Sequence, residues 1–406
     1  MENSRLSPQV VQTTAAYYAA FLAMGISMSV LGPTLPGLAK QVQASLGAIG
    51  ILFTARSLGS LIGSVGGGMV YDHLKGHRLM ALMITISAVL AALVPYVPLL
   101  WLLTALMFFT GAAQGMLNIG GNTLLVWLHG AKVGPYMNGL HFAFGVGTFL
   151  TPILVAQFIT RPGGLATTYL LAGILILPTA LVALLPSPAS PHARLSQDRQ
   201  RVDPWLIVLI GLVFGTYSGA STGFGGWIYT YALEVGLADA RSAAYLTSAF
   251  WGAFTLGRLV AIPLARRFQP RAILAADFGG GLIVLLAMLL WPRSAAAVIF
   301  TAAAFGFALA SIYPTTMSLA SQLMPISGRI TGLFSVGNSV GMMIVPWAIG
   351  QLFESAGPAS MAWVLMIDMG MALGVLVLLA GWTRKAVLAS VTASNPGLPV
   401  EPGSQA

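Results

Sequence analysis

Twelve apolar stretches follow one another along this chain, and they leave few folds open to it. They cover roughly residues 13–37, 46–70, 79–97, 99–128, 135–159, 166–185, 205–233, 243–265, 272–292, 295–323, 329–353 and 361–383. A run of about 20 apolar residues crosses a bilayer as a helix, because in hydrocarbon each backbone N–H and C=O must find its partner within the segment. Charge agrees: 7% of residues are charged, where a soluble chain has about a quarter. Residues 1–12 are polar, and the apolar run behind them reaches about Leu38. That is longer than the roughly 7–15 residues of a cleavable signal core, so it reads as the first span.

The halves repeat. Gly147, Pro152 and Gln157 recur as Gly341, Pro346 and Gln351, an offset of 194 that also aligns Leu52 with Leu246, Gly63 with Gly257 and Asp72 with Arg266. Two copies of one helical unit in an apolar chain predict a secondary carrier with its site between the halves. The predicted fold is all-α and integral to the membrane, with twelve transmembrane helices in two pseudo-symmetric six-helix bundles, residues 1–185 and 205–390. Between them, 186–204 (PSPASPHARLSQDRQRVDP) is a hydrophilic linker, and 391–406 reads as a disordered tail.

An even number of spans puts both termini on one side. That side collects thirteen Lys and Arg residues against four on the other, so the termini are expected in the cytoplasm and the protein in the plasma or inner membrane. The same distribution accounts for the net charge of +9 without nucleic acid. With no cysteine there is no disulfide, thiolate metal site or cysteine nucleophile. No metal or cofactor is expected, and His141 lacks the acidic neighbour an enzyme mechanism would want. The expected partners are a small sugar-like solute and the bilayer, with the chain a monomer.

Arg56 stands near mid-membrane, roughly 24 Å up the second span from Asp72 at about 1.5 Å per residue. An arginine there needs water, a partner or a set of carbonyl and amide acceptors, and it is read as lining a cavity. Gln114, Asn118 and Asn122 share one face of the fourth span, and Asn138 and His141 on the fifth reach a similar depth. Amides and imidazole offer the paired donors and acceptors that hydroxyl-rich solutes need, although such groups also tie helices together. The second half adds Tyr217, Ser221, Thr222 and Trp227 around Gly223–Gly226, where the glycines suggest a helix that unwinds beside a cavity. Trp251, Tyr313 and Asn338 complete the proposed wall. Arg258 and Asp277, at matching depth on consecutive spans, are expected to form a structural ion pair. Asp368, on the last span, is a candidate coupling site.

The segment Gly68-Met-Val-Tyr-Asp72-His-Leu-Lys75-Gly-His-Arg78 resembles the signature of the major facilitator superfamily between helices two and three. Gly68, Asp72, Lys75 and Arg78 are therefore expected to gate the conformational change. Further, Asn118-Ile-Gly-Gly-Asn122-Thr-Leu-Leu, Pro135-Tyr-Met-Asn-Gly-Leu-His141, Gly225-Gly-Trp227-Ile-Tyr and Ser311-Ile-Tyr-Pro-Thr resemble the sodium-dependent glucose transporter-like branch, and more distantly fucose permeases. The resemblance implies hexose transport. It also implies two departures: the branch has aspartate where Asn118 stands, and related carriers have glutamate where Ser221 stands. Losing both carboxylates leaves three options, namely uniport, coupling to Na⁺, or proton coupling through His141, since an unperturbed imidazole, with a pKa near 6.5, can be protonated.

The leading expectation is a carrier of a monosaccharide working by alternating access. Gln114, Asn118, Asn122 and His141 would bond hydroxyls, Trp251 or Trp227 would stack a sugar face, and Arg56 would orient the polar network. The alternative is an exporter of amphipathic drugs, lipids or organic anions.

Overall fold

The computed structural model describes residues 7–71, 73–188, 203–326 and 328–394, with side chains through 382. Among these, twelve helical segments are long and apolar enough to cross a membrane. They are Pro8–Ser29, Leu46–Val70, Gly76–Tyr96, Leu100–His129, Gly134–Phe158 and Gly164–Leu184 in the first half, numbered here as spans 1 to 6. Spans 7 to 12 are Pro204–Glu234, Ala240–Arg267, Pro270–Leu290, Ala295–Leu323, Ile330–Ala356 and Ser360–Trp382. The last helix continues to Ser394, past the expected start of the tail, while linker residues 189–202 and Asp72 lie outside the described set.

Local sequence sets where the helices begin and break. Asp203 and Asp239 cap spans 7 and 8 by accepting the backbone N–H of Trp205 (2.9 Å) and Ser242 (2.8 Å). Span 1 stops at Ser29 and resumes as Leu31–Gln41 after a turn at Val30. Pro33 has no N–H for the Ser29 carbonyl, which explains the break.

Packing within each half relies on residues without side chains. On spans 1 and 5, a Cβ at Gly25 or Gly147 would collide with the carbonyl of Phe144 or Leu22. Spans 7 and 11 repeat the arrangement, with Gly219 against Val345 and Gly341 against the Gly215 carbonyl. Gly25 and Gly219, like Gly147 and Gly341, stand 194 positions apart. The repeat in the sequence is thus a repeat of close helix contacts, and in membranes such contacts supply much of the association energy.

The halves meet through span 2 on span 11, span 5 on span 8, and the Leu31–Gln41 segment on span 7. These contacts gather toward the membrane face opposite the termini, called distal below. Thr54 Oγ1 donates to the Met343 carbonyl (3.1 Å), and Ser248 Oγ donates to the Phe149 carbonyl (3.1 Å). Farther out, Gln351 Nε2 donates to the Gly47 carbonyl (2.8 Å) and Gln157 Nε2 to the Tyr245 hydroxyl (2.9 Å). The carboxylate of Glu354 also accepts the Gly47 N–H at 3.1 Å, near the helix N-terminus where a negative charge is favoured. Thr54 and Ser248 are repeat-related, as are Phe149 and Met343, and Gln157 and Gln351. The distal seam is therefore held by two pairs of latches, the inner one copied in donor and acceptor and the outer one in the donor alone. Toward the termini, a Cβ on Gly68, Gly134 or Gly332 would meet nothing within 4 Å.

Candidate functional site

Where spans 1, 2, 4 and 5 face spans 7, 8 and 11, the structure holds a cavity of about 130 Å³. Its polar wall is organised by Arg56, which is 9% exposed. The break in span 1 turns backbone carbonyls toward span 2, and the guanidinium takes two of them, Met28 (2.9 Å, from Nη1) and Ser27 (2.9 Å, from Nη2). Gln114 Oε1 accepts from Nε (3.1 Å) and Nη2 (2.8 Å), while Gln114 Nε2 donates to Ser27 Oγ at 2.6 Å. Arginine carries five N–H groups, and four of them are used here. One N–H on Nη1 has no partner among the described residues, and Arg56 lines the cavity. Arg56 thus does two things: it clamps the broken span 1 to spans 2 and 4, and it presents a positive charge to the space between the halves.

Ser29, from the break itself, and Thr222, from span 7, are wall residues of the same cavity. Both oxygens are buried without a hydrogen-bond partner in the protein. Ser57 and Ser60 add hydroxyls, and Trp251, Phe53, Phe144, Met24, Met28 and Met342 supply the apolar remainder. Of the expected site residues, Arg56, Gln114 and Trp251 line this cavity. Ser29, Ser57 and Ser60 were missed by sequence reasoning. Ser60 had a signal, since it follows Arg56 by one helical turn, and Pro33 marks the break that exposes Ser29.

The remaining candidates fall elsewhere. Asn122 Nδ2 donates to the Asn118 carbonyl and to Asn118 Oδ1 (both 2.8 Å), so this pair closes on itself one turn along span 4. His141 sets its ring edge-on to Phe21, with centroids 5.9 Å apart. Tyr217 and Tyr313 pack together at 6.0 Å near Arg258. Tyr313 and Asn338 line a separate recess of about 40 Å³ within the second half, where Asn338 also accepts from Ser218. Ser221 donates to the Ser218 carbonyl on its own helix (3.2 Å). Gly68, Lys75 and Arg78 are exposed. Their neighbour His77 is buried and bridges the Tyr17 hydroxyl (2.6 Å) to the Leu185 carbonyl (2.9 Å), tying span 3 to the start of the linker. Asp368 is buried in span 12, away from the cavity, and its Oδ2 has no partner.

Three expectations need correction. Trp227 does not face the cavity: it is fully buried, donates from Nε1 to the Pro346 carbonyl (2.9 Å) and packs on Phe353 at 5.3 Å, sealing the distal seam. Span 7 does not unwind at Gly223–Gly226, since its helix is continuous from Pro204 to Glu234. Gly225 and Gly226 instead allow Gly32 of the first half, with the Phe53 and Trp251 rings, to approach the backbone closely. Arg258 and Asp277 do not form an ion pair. Arg258 lies over the Phe254 ring at 4.7 Å and beside Tyr217, while Asp277 accepts from Ser311. Equal depth on neighbouring spans fixed their height and left their direction around each helix open.

Comparison with known proteins matches this architecture. The model of the Major Facilitator Superfamily aligns with residues 17–332. Sodium-dependent glucose transporter 1 of Xenopus laevis is 30% identical over 358 residues, covering 80% of this chain and 73% of that protein. Its human counterpart is 28% identical over 373 residues, covering 82% of this chain and 72% of the relative. Among solved structures, the inward-open xylose transporter XylE from E. coli superposes with a TM-score of 0.74 at 15% identity, covering 91% of this chain and 95% of that one. That last likeness is one of fold. Twelve spans built as two copies of one bundle, together with the family match over most of the chain, identify it as a member of the major facilitator superfamily of membrane transporters.

Proposed function

We propose that this protein carries a monosaccharide across the plasma or inner membrane by alternating access, with the central cavity as its binding site. The observation that carries this reading is the cavity wall itself: Arg56, Gln114 and two unpaired hydroxyls from opposite halves, beside the Trp251 ring. Polar groups set at fixed positions orient hydroxyls, and an aromatic face stacks on the apolar face of a sugar ring. The names of the glucose-transporting relatives point to the same solute class. The excess of Lys and Arg on the side of the termini supports a cytoplasmic location for both. With the distal seam closed, the cavity would then communicate with the cytoplasm.

The test is uptake of a labelled panel of neutral and acidic hexose derivatives into proteoliposomes, with and without imposed Na⁺ and proton gradients. Saturable uptake of one member, abolished when Trp251 is changed to Ala, is the expected result. Uptake that ignores both gradients would identify a uniporter, and concentrative uptake with one gradient would identify a symporter. Absence of saturable uptake across the panel, by folded protein, would refute the reading. It would promote an exporter of amphipathic compounds, for which the Met24, Met28 and Met342 side chains in the wall are the favouring observation.

A further inference from the structure

The balance of hydrogen-bonding groups in the cavity narrows the solute further. A neutral sugar hydroxyl brings a donor as well as an acceptor, so a site built for neutral sugars supplies strong acceptors, carboxylates above all. This wall has no carboxylate and carries one full positive charge. Both acceptances of Gln114 Oε1 are taken by Arg56, leaving Gln114 one free amide N–H. Arg56 adds a free N–H and a full positive charge. Ser29 and Thr222 add hydroxyls that have no partner in the protein. No Asp or Glu is among the residues lining the cavity.

Nor does an acid elsewhere among the described residues balance Arg56, whose bonds run to two carbonyls and one amide. Asp277 is engaged by Ser311, and Asp368 lies in span 12 away from the cavity. A second cation, Arg258, stands near His141 and Tyr217, where the two halves face each other, and it too meets rings rather than a carboxylate. Two arginines at intramembrane depth without acids are costly in an empty carrier, and a bound anion relieves that cost.

We propose that the solute is a monosaccharide carrying one carboxylate, a uronate or aldonate, with the carboxylate at the free Arg56 N–H and the Ser29 and Thr222 hydroxyls, and the ring against Trp251. This rests on the carrier reading above and specifies its substrate class. One arginine with a single free N–H suits a monoanion, and Arg258 adds a positive field that raises the local concentration of anions.

The test uses the full chain in nanodiscs and equilibrium binding at neutral pH of three sugars of similar size: D-glucuronate, D-glucose and the cationic D-glucosamine. A hydrogen bond to a charged group exceeds a neutral one by about 1 kcal/mol, so glucuronate should bind roughly fivefold tighter than glucose, with glucosamine weakest. Arg56→Gln should bring glucuronate down to the level of glucose. Should that variant fail to fold, the wild-type ranking decides alone. Glucose binding as tightly as glucuronate would overturn the proposal and leave the carrier reading standing. A folded Arg56→Gln protein that weakens all three equally would reduce Arg56 to a clamp and overturn it too. Binding of none of the three would count against the monosaccharide reading itself.

Discussion

Removing the inner pair of distal latches, Thr54→Val together with Ser248→Ala, should shift the protein toward the state that is open on the distal side. Each substitution deletes one side-chain donor that bridges the halves at 3.1 Å. The accepting carbonyls, Met343 and Phe149, lie within helices and keep their backbone partners, so neither is orphaned. The loss per bond is then the net value of an ordinary hydrogen bond, about 1 kcal/mol. Because the two sites are on different helix pairs, the effects should add to about 2 kcal/mol. That is a fall of about thirtyfold in the equilibrium constant favouring distal closure. The chain has no cysteine, so Ala48→Cys and Ala356→Cys can carry a pair of spin labels across the distal seam without background. Electron–electron double resonance should show a second, longer distance in the double variant and less of it in each single one. A distance distribution identical to that of the parent, from protein with unchanged helical content, would refute the assignment of these bonds as latches.

Other substitutions separate the roles of individual residues. Gln114→Leu leaves two donors of Arg56 unmet in a buried site and should lower stability by about 2–4 kcal/mol, read as a drop in thermal midpoint in detergent. Trp227→Ala should destabilise by about 3–5 kcal/mol through the cavity it leaves, read as a drop in thermal midpoint, while Trp251→Ala should abolish uptake; uptake retained by folded Trp251→Ala protein would refute its placement against the solute. The carboxyl of Asp239, at the distal start of span 8, is held below its ordinary range by hydrogen bonds from Ser242. A group with a depressed folded value stabilises above its unfolded value and loses that contribution as pH falls through the folded one. The difference in thermal midpoint between the parent and Asp239→Ala should therefore be constant from neutral pH to about pH 4 and shrink below it.

The spans and their duplication were legible because hydrocarbon imposes a simple rule on sequence, and because packing through glycine must be copied when a bundle is copied. Gly147 and Gly341 carried that signal, and they hold the same helix contact in each half. Arg56 was legible too, since a charge at mid-membrane needs a built environment. What sequence hid was direction around a helix. Trp227 and Trp251 look alike as aromatics on spans 7 and 8, yet one seals the seam and the other faces the cavity. Asn118 and Asn122 share a face with Gln114, but only Gln114 meets Arg56, and the asparagines satisfy each other. The glycines of span 7 looked like a flaw in a helix and serve as a landing place for Gly32, a contact set by a segment nearly 200 positions away.

The latches at Thr54, Ser248, Gln157 and Gln351 bond backbone and side chains of the facing half and line no part of the cavity. Whatever energy they contribute is therefore the same whether the carrier is loaded or empty, and a contribution that ignores the cargo cannot favour one cargo over another. On the proposed mechanism selectivity would be left to the cavity, while the latches would bias loaded and empty carrier alike toward distal closure. Weakening them should change the overall rate of transport and leave the ranking of solutes as it was.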